Sequence, residues 1–178
     1  MHLINYYYQT IVKYDLLNKF RYKNISQLPK LEKIVLYFKF NNLTFNNLVS
    51  TLLVLELITN QKGFIITSKK FNSSLKLKKG QPVGCKVTLN KNIMYKFLFI
   101  LINNIFNNDK YYKKNIVIFQ KDTYNALSFK IINVMNFKEL EEHYQYFKNL
   151  KELNINIITN TKTAKEFLFL LKSLKIPF

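Results

Sequence analysis

Hydrophobic residues recur along the chain with two periods, one typical of helices and one typical of strands. Apolar side chains at every third or fourth position predict four helices. These helices cover residues 6–20, 45–59, 93–106 and 167–174. The start of the last one is further indicated by Thr163 and Glu166, whose spacing matches a capping box.

Short alternating or β-branched segments between these helices predict six strands. The strands cover residues 32–40, 64–67, 83–89, 116–120, 126–134 and 153–159. Residues 103–114 have a loop-like composition, and residues 139–152 are charged and helix-prone but have a weak apolar stripe, so their state stays open. Because the order lacks the regular strand–helix alternation of a parallel sheet, we expect an α+β fold. It should contain a mostly antiparallel sheet with helices packed on one face.

The composition indicates one folded domain covering residues 1–178, because 48% of the 178 residues are hydrophobic. The 28 basic and 10 acidic residues give a formal net charge of +18, spread over the whole chain. So large a positive charge destabilises the folded chain by repulsion between its own lysines unless phosphate groups neutralise it. A nucleic acid is therefore the expected partner. Arg21 is the sole arginine, and the abundant Lys, Asn, Ile, Phe and Tyr all have A/T-rich codons. We therefore expect a gene carried by an organellar genome.

The basic charge is densest between Gln61 and Leu89, where lysine is the only charged residue type. Two predicted strands, residues 64–67 and 83–89, bracket this segment. The sequence therefore predicts a basic loop held between two strands rather than a free charged tail. An ordered loop of this kind suits a nucleic acid of defined shape.

The sequence gives little support for a catalytic site, a metal site or a membrane span. Cys85 is the single cysteine, which excludes an intramolecular disulfide and a multi-cysteine zinc site, and its strand context favours a buried structural thiol. His2 and His143 lack a metal-ligand or general-base spacing. The acidic group Glu139, Glu141, Glu142 and Glu152 could hold Mg²⁺ in a nuclease but is more typical of a solvated helix face. No apolar run reaches the roughly 18 residues of a membrane span, so we expect a non-enzymatic protein without cofactor, metal or membrane.

Several motifs resemble the universal large-subunit ribosomal protein uL5 family. The segment from Leu75 to Leu89, LKLKKGQPVGCKVTL, is similar to the family's F-K-I-R-x-G-x-P-I-G-C-K-V-T-L. QLPKLEKI from Gln27 and LITNQKGFIIT from Leu57 resemble the family's Q-x-P-x-x-E-K-I and L-I-T-G-Q-K-P-x-I-T, and the chain ends in the family's P-F. The chain departs from the family pattern at Tyr37, where the first strand usually carries an asparagine.

This resemblance implies an α+β protein of the central protuberance of the large ribosomal subunit that binds ribosomal RNA, 5S RNA or its replacement. By analogy, the ribosomal RNA contacts would be Lys30, Lys33, Gln61, Lys62, Lys86 and Thr88. The basic loop would approach P-site transfer RNA and the small-subunit head through Lys69, Lys70, Ser73, Ser74, Lys76, Lys78 and Lys79. Neighbouring ribosomal proteins are further expected partners, and a mitochondrion is the expected location.

Two other interpretations remain open from the residues alone. A free RNA-binding or RNA-processing factor of the organelle would use the same basic sheet away from the ribosome. A peripheral membrane protein would need a helix with a basic face opposite aromatic residues. Residues 6–20 come nearest to that pattern, but Lys13 and Lys19 make a sparse basic face.

Overall fold

Six strands form one sheet in the computed structural model, which describes residues 3–40, 45–71, 73, 77–106, 117–120, 125–147, 150 and 152–176. The strands are β1 (Leu31–Lys39), β2 (Phe64–Thr67), β3 (Pro82–Leu89), β4 (Val117–Gln120), β5 (Asn125–Ile131) and β6 (Leu153–Thr159). Their order across the sheet is β2-β3-β1-β6-β5-β4. The pairs β2/β3 and β4/β5 are antiparallel. The predicted α+β fold with a mostly antiparallel sheet is confirmed.

The helices lie close to their predicted positions. They are α1 (Leu3–Tyr7), α2 (Lys13–Lys19), α3 (Phe45–Thr59), α4 (Lys91–Ile100), α5 (Tyr144–Phe147) and α6 (Ala164–Ser173). A π-helical segment, Tyr8–Val12, joins α1 to α2, and another, Leu101–Ile105, follows α4. The capping box at Thr163 and Glu166 is present, as predicted.

Three sequence predictions need correction or fall outside the described residues. Strand β5 ends at Ile131, short of the predicted residue 134, because Asn133 Oδ1 accepts a hydrogen bond from the Met135 N–H at 3.1 Å and starts a 3₁₀ turn, Val134–Asn136. Residues 103–105, predicted as loop, belong to the second π-helical segment. The rest of the predicted loop from residue 107, and residue 116, lie outside the described residues.

The segment left open by the sequence, residues 139–152, is helical over its first part. It forms a 3₁₀ helix, Lys138–His143, followed by α5. Leu140 and Phe147 are buried, whereas Glu139, Glu141 and Glu142 are exposed. This segment has no continuous apolar stripe, and it packs on the core through Leu140 and Phe147, which are seven positions apart.

The chain divides into two compact units. Unit 1 comprises Met1–Ile34, Leu89–Lys130 and Asn156–Phe178, and unit 2 comprises Val35–Thr88 and Ile131–Ile155. Large side chains buried in unit 1 include Leu16, Phe97, Leu98, Phe129 and Phe167. Those buried in unit 2 include Leu36, Phe38, Leu55, Val87 and Phe137. That the whole chain is one domain stays a prediction.

Candidate nucleic-acid interface

Strand β3 of unit 2 separates an apolar face from a polar face. Cys85 and Val87 are fully buried. The Cys85 thiol faces α3, where its sulfur lies 3.8 Å from Thr51 Oγ1 and 3.9 Å from the Leu48 carbonyl oxygen. Because side chains alternate along a strand, Lys86 and Thr88 lie on the opposite face, where Lys86 is exposed and Thr88 half-buried.

Burial raises the pKa of the Cys85 thiol, and the hydrogen bond with Thr51 opposes this increase only in part. A buried thiol held in its neutral form is a weak nucleophile. The predicted structural role of this cysteine therefore agrees with its surroundings.

Strands β1 and β6 add further polar residues to this face. In β1, Leu36 and Phe38 are fully buried, whereas Tyr37 is half-buried and Lys39 exposed. Asn154 of β6 donates from Nδ2 to the Tyr37 carbonyl oxygen at 3.4 Å. We call the surface of unit 2 formed by Tyr37, Lys39, Lys86, Thr88 and Asn154 the open face.

The residues of the open face offer the chemistry that RNA recognition needs. Lysines neutralise phosphate, threonine and asparagine can hydrogen-bond sugar hydroxyls or base edges, and a tyrosine ring can stack on an unpaired base. Lys86 and Thr88 were predicted from the sequence as RNA contacts, whereas Tyr37, Lys39 and Asn154 were not. The period-two alternation of residues 32–40 was the available signal, since it places Tyr37 and Lys39 on the same side of the strand.

Close approach of β1 and β3 is possible because residue 84 is glycine. The Phe40 N–H donates to the Val83 carbonyl oxygen at 2.9 Å. A Cβ atom at residue 84 would overlap the carbonyl oxygen of Phe38. The glycine therefore permits the pairing that sets Lys39 and Lys86 on one surface.

Gln61 and Lys62 lie in the turn that follows α3. Asn60 has φ of 50°, and its N–H donates to the Glu56 carbonyl oxygen at 2.8 Å. The Gly63 N–H donates to the Glu56 carboxylate at 3.0 Å, which holds the turn. Lys62 is exposed. The side-chain oxygen of Gln61 is buried and has no hydrogen-bond partner among the described residues.

Lys30 and Lys33 belong to unit 1, whereas the other four predicted ribosomal RNA contacts belong to unit 2. The Lys30 N–H donates to Asn160 Oδ1 at 2.7 Å, and Asn160 Nδ2 donates to the Leu28 carbonyl oxygen at 3.2 Å. The Tyr8 hydroxyl donates to the Pro29 carbonyl oxygen at 2.7 Å. Side chains from two distant parts of the sequence thus fix the backbone before β1, where Lys30 is exposed. Lys33, within β1, is half-buried.

Burial raises the pKa of Tyr8 to about 12, so its hydroxyl keeps its proton at neutral pH. The hydroxyl therefore remains the donor of the hydrogen bond to Pro29. This bond helps to hold the segment that carries Lys30.

The basic loop between β2 and β3 is closed at its base by backbone hydrogen bonds. The Ser68 N–H donates to the Gln81 carbonyl oxygen at 2.8 Å, and the Gly80 N–H donates to the Ser68 carbonyl oxygen at 2.9 Å. The Lys78 N–H donates to Gln81 Oε1 at 3.1 Å, and Gly80 has φ of 85°, a value that favours glycine. These contacts form a tight turn at the return of the loop.

The predicted loop residues that the structure describes are all open to solvent. Lys69, Lys70, Ser73, Lys78 and Lys79 are exposed. Ser74 and Lys76 lie outside the described residues. The loop thus presents several cations on an anchored base, without an acidic residue nearby in the sequence.

Neither a metal site nor a membrane span is found in the part of the chain that the structure describes. Among these residues, no three His, Cys, Asp or Glu side chains come together in a group that could hold a metal ion. No helix within the same residues is both long and apolar enough to cross a membrane.

Comparison with known proteins identifies the family. A family model for the C-terminal part of the ribosomal protein uL5 family matches residues 82–178. The large ribosomal subunit protein uL5m of Reclinomonas americana is 34% identical over 179 residues, which cover 99% of this chain and 98% of that protein. The large ribosomal subunit protein uL5 of Wolbachia pipientis subsp. Culex pipiens is 36% identical, covering 97% of this chain and 96% of its own length.

A third relative, the large ribosomal subunit protein uL5c of Stigeoclonium helveticum, is 36% identical, covering 92% of this chain and 90% of its own length. These full-length matches agree with the α+β fold and with the motifs around Gly84. The chain therefore belongs to the uL5 family of large-subunit ribosomal proteins, which have a structural role in the ribosome and are not enzymes.

Proposed function

We propose that this protein is a structural constituent of the large subunit of a mitochondrial ribosome, located in the central protuberance. The near full-length similarity to the uL5m protein of Reclinomonas americana supports a mitochondrial ribosome. The lysine-rich, arginine-poor composition supports an organelle-encoded gene. The protein would partner with large-subunit ribosomal RNA and with neighbouring ribosomal proteins, and would have no catalytic step of its own.

Ribosomal RNA, either 5S RNA or its replacement, would bind to the open face and to the residues around it. The observation that carries this proposal is that Lys86 and Thr88 lie on the side of β3 opposite the packed Cys85 and Val87. Lys30, Lys33 and Lys62 would add phosphate contacts. Gln61 would add a polar contact to a sugar or a base edge, as the resemblance to the uL5 family implies.

The basic loop would have a separate role, reaching P-site transfer RNA and the small-subunit head at an intersubunit bridge. Its exposed Lys69, Lys70, Lys78 and Lys79 support this role. The hydrogen bonds of Ser68, Gly80 and Gln81 support a loop that keeps its direction. The loop would then assist translation without being required to hold the protein in the subunit.

The salt dependence of retention in the large subunit tests the open face. Because each lysine on phosphate contributes about one to the logarithmic salt slope, Lys39→Gln combined with Lys86→Gln should lower that slope by about two. Large subunits containing the variant would be washed over a series of KCl concentrations, and the released protein quantified. We expect release at lower salt than for the unmodified protein.

The matched control is Lys96→Gln combined with Lys172→Gln, two exposed lysines of α4 and α6. This variant has the same change in net charge but leaves the open face intact, so its release should follow the unmodified protein. Equal release of the two double variants would contradict the proposed RNA contact. Retention of the protein in the subunit would then depend on its total charge alone.

A further inference from the structure

The side of α3 away from β3 carries an apolar stripe that stays partly exposed to solvent. Phe45, Val49, Leu53 and Leu57 recur at every fourth position and therefore share one side of the helix. Phe45 is 78% exposed, Val49 39% and Leu53 46%. Leu48, Leu55 and Ile58, by contrast, are buried. Helix α3 is thus apolar on both sides, and the described residues cover the side that carries the stripe only in part.

The exposed stripe forms one wall of a groove. The 3₁₀ helix Lys138–His143 and α5 pack against α3. They supply the second wall through His143, Tyr146 and Phe147, and the groove has a volume of about 590 Å³. Tyr146 is 77% exposed, so the groove is open to solvent. We call this surface the α3 groove.

The described charged residues on the elements that line the α3 groove are mainly acidic, whereas the chain as a whole is basic. Helix α3 contains no lysine or arginine, and its one charged residue is Glu56. Glu139, Glu141 and Glu142 on the 3₁₀ helix are exposed beside Lys138. Three of the 10 acidic residues in a chain of net charge +18 therefore lie on the short helix that contributes His143 to this groove. A phosphate backbone would meet apolar side chains and carboxylates here, which excludes RNA as the favoured occupant.

We propose that the α3 groove binds a basic amphipathic helix of a neighbouring protein. A stripe of apolar side chains at helical spacing along a groove is the arrangement that accepts the apolar face of a partner helix. The glutamates at the rim would attract lysines or arginines that flank that face. A second copy of this chain is disfavoured, because two molecules of charge +18 repel each other. The inference rests on the proposed role in the large subunit, where such a partner would be a fixed neighbour.

Photocrosslinking in the assembled large subunit tests this inference. A photoreactive phenylalanine analogue, p-benzoylphenylalanine, would replace Leu53, and the crosslinked product would be identified by mass spectrometry. The matched control carries the same probe at Leu17 of α2, a leucine that is 43% exposed. We expect the probe at Leu53 to capture a lysine- or arginine-rich helical segment of another large-subunit protein, and the probe at Leu17 not to capture that segment.

Each other outcome would overturn the inference. Capture of RNA, of a second copy of this chain or of an acidic segment at Leu53 would contradict the proposed occupant. No crosslink in assembled subunits would mean that the groove faces solvent. Failure of the unmodified chain to co-sediment with the large subunit would instead overturn the proposed function, and the inference that rests on it would fall as well.

Two variants separate the apolar and the electrostatic contributions. Leu53→Glu should lower the amount of the captured partner retained in the subunit by about tenfold, whereas Leu17→Glu should leave it unchanged. Glu141→Gln combined with Glu142→Gln should reduce the crosslink yield from Leu53 severalfold, because the rim then attracts basic side chains less. A partner retained equally by Leu53→Glu and Leu17→Glu would contradict the docking site.

Discussion

At the scale of single residues, the pairing of β1 with β3 depends on the absence of a side chain at Gly84. A methyl group there would overlap the Phe38 carbonyl oxygen, which is backbone and cannot rotate away. We therefore expect Gly84→Ala to lower the free energy of unfolding by about 1–3 kcal/mol, the usual range for overpacking. Urea unfolding followed by circular dichroism would measure the change.

The same substitution at Gly63 provides the control for Gly84. A Cβ atom at Gly63 would lie 3.4 Å from Leu52 Cγ, an ordinary van der Waals distance. Gly63→Ala should therefore change the stability by less than about 0.5 kcal/mol. If the two variants were equally stable, the close approach of β1 and β3 would not require glycine.

Site residues that belong to a local sequence motif could be predicted, whereas those that depend on long-range contacts could not. Lys86 and Thr88 were predicted as RNA contacts from the resemblance to uL5, and alternation along β3 agrees with their position on the face opposite Cys85 and Val87. The contribution of Asn154 could not be predicted, because its contact with Tyr37 joins residues 117 positions apart in the sequence. The unpartnered oxygen of Gln61 likewise depends on how the turn after α3 folds.

At the scale of elements, a short sequence motif, the capping box of Thr163 and Glu166, determines where α6 begins. Thr163 Oγ1 accepts a hydrogen bond from the Glu166 N–H at 3.3 Å, and the Glu166 carboxylate accepts one from the Thr163 N–H at 3.3 Å. Thr163→Ala removes the side-chain acceptor, so we expect a loss of about 1 kcal/mol in stability. Thermal unfolding monitored by circular dichroism would measure it.

Thr10→Ala is the matched control, since the exposed Thr10 hydroxyl only donates back to the Tyr6 carbonyl oxygen within its own helical segment. Its effect should stay below about 0.5 kcal/mol. A loss as large as that of Thr163→Ala would mean that the cap contributes no specific stability.

Elements with a strong local pattern could be predicted, and those that depend on distant contacts could not. Helix α3 and strands β2 and β6 have the predicted bounds. In α3 and β6 the apolar period runs from end to end, whereas β2 is a short apolar run. The 3₁₀ helix Lys138–His143 was not predicted, because its one buried residue, Leu140, gives no periodic apolar pattern. The π-helical segments were not predicted either, because they keep apolar residues at a nearly helical spacing.

At the scale of the whole molecule, the basic loop and the open face should have separable effects. Replacing Lys76, Lys78 and Lys79 together by alanine removes three cations from the loop but none from the open face. We expect large-subunit assembly to remain largely intact while translation is impaired, because the loop would contact transfer RNA and the intersubunit bridge. Sucrose-gradient profiles and incorporation of labelled amino acids in organelles would measure the two effects.

Loss of the large subunit itself in the triple variant would contradict this division of roles. It would place the loop among the contacts needed for assembly. Unchanged translation with an intact subunit would instead show that the loop has no part in the functioning ribosome.

The central claim is that this chain is an integral part of a mitochondrial large ribosomal subunit. The most direct test is gradient fractionation of mitochondrial lysate at high magnesium, following the protein by mass spectrometry against markers of both subunits. We predict co-migration with the large subunit that persists after a high-salt wash. Recovery only in light or membrane fractions would contradict the claim, and would favour a free RNA-binding factor or a lipid-bound protein instead.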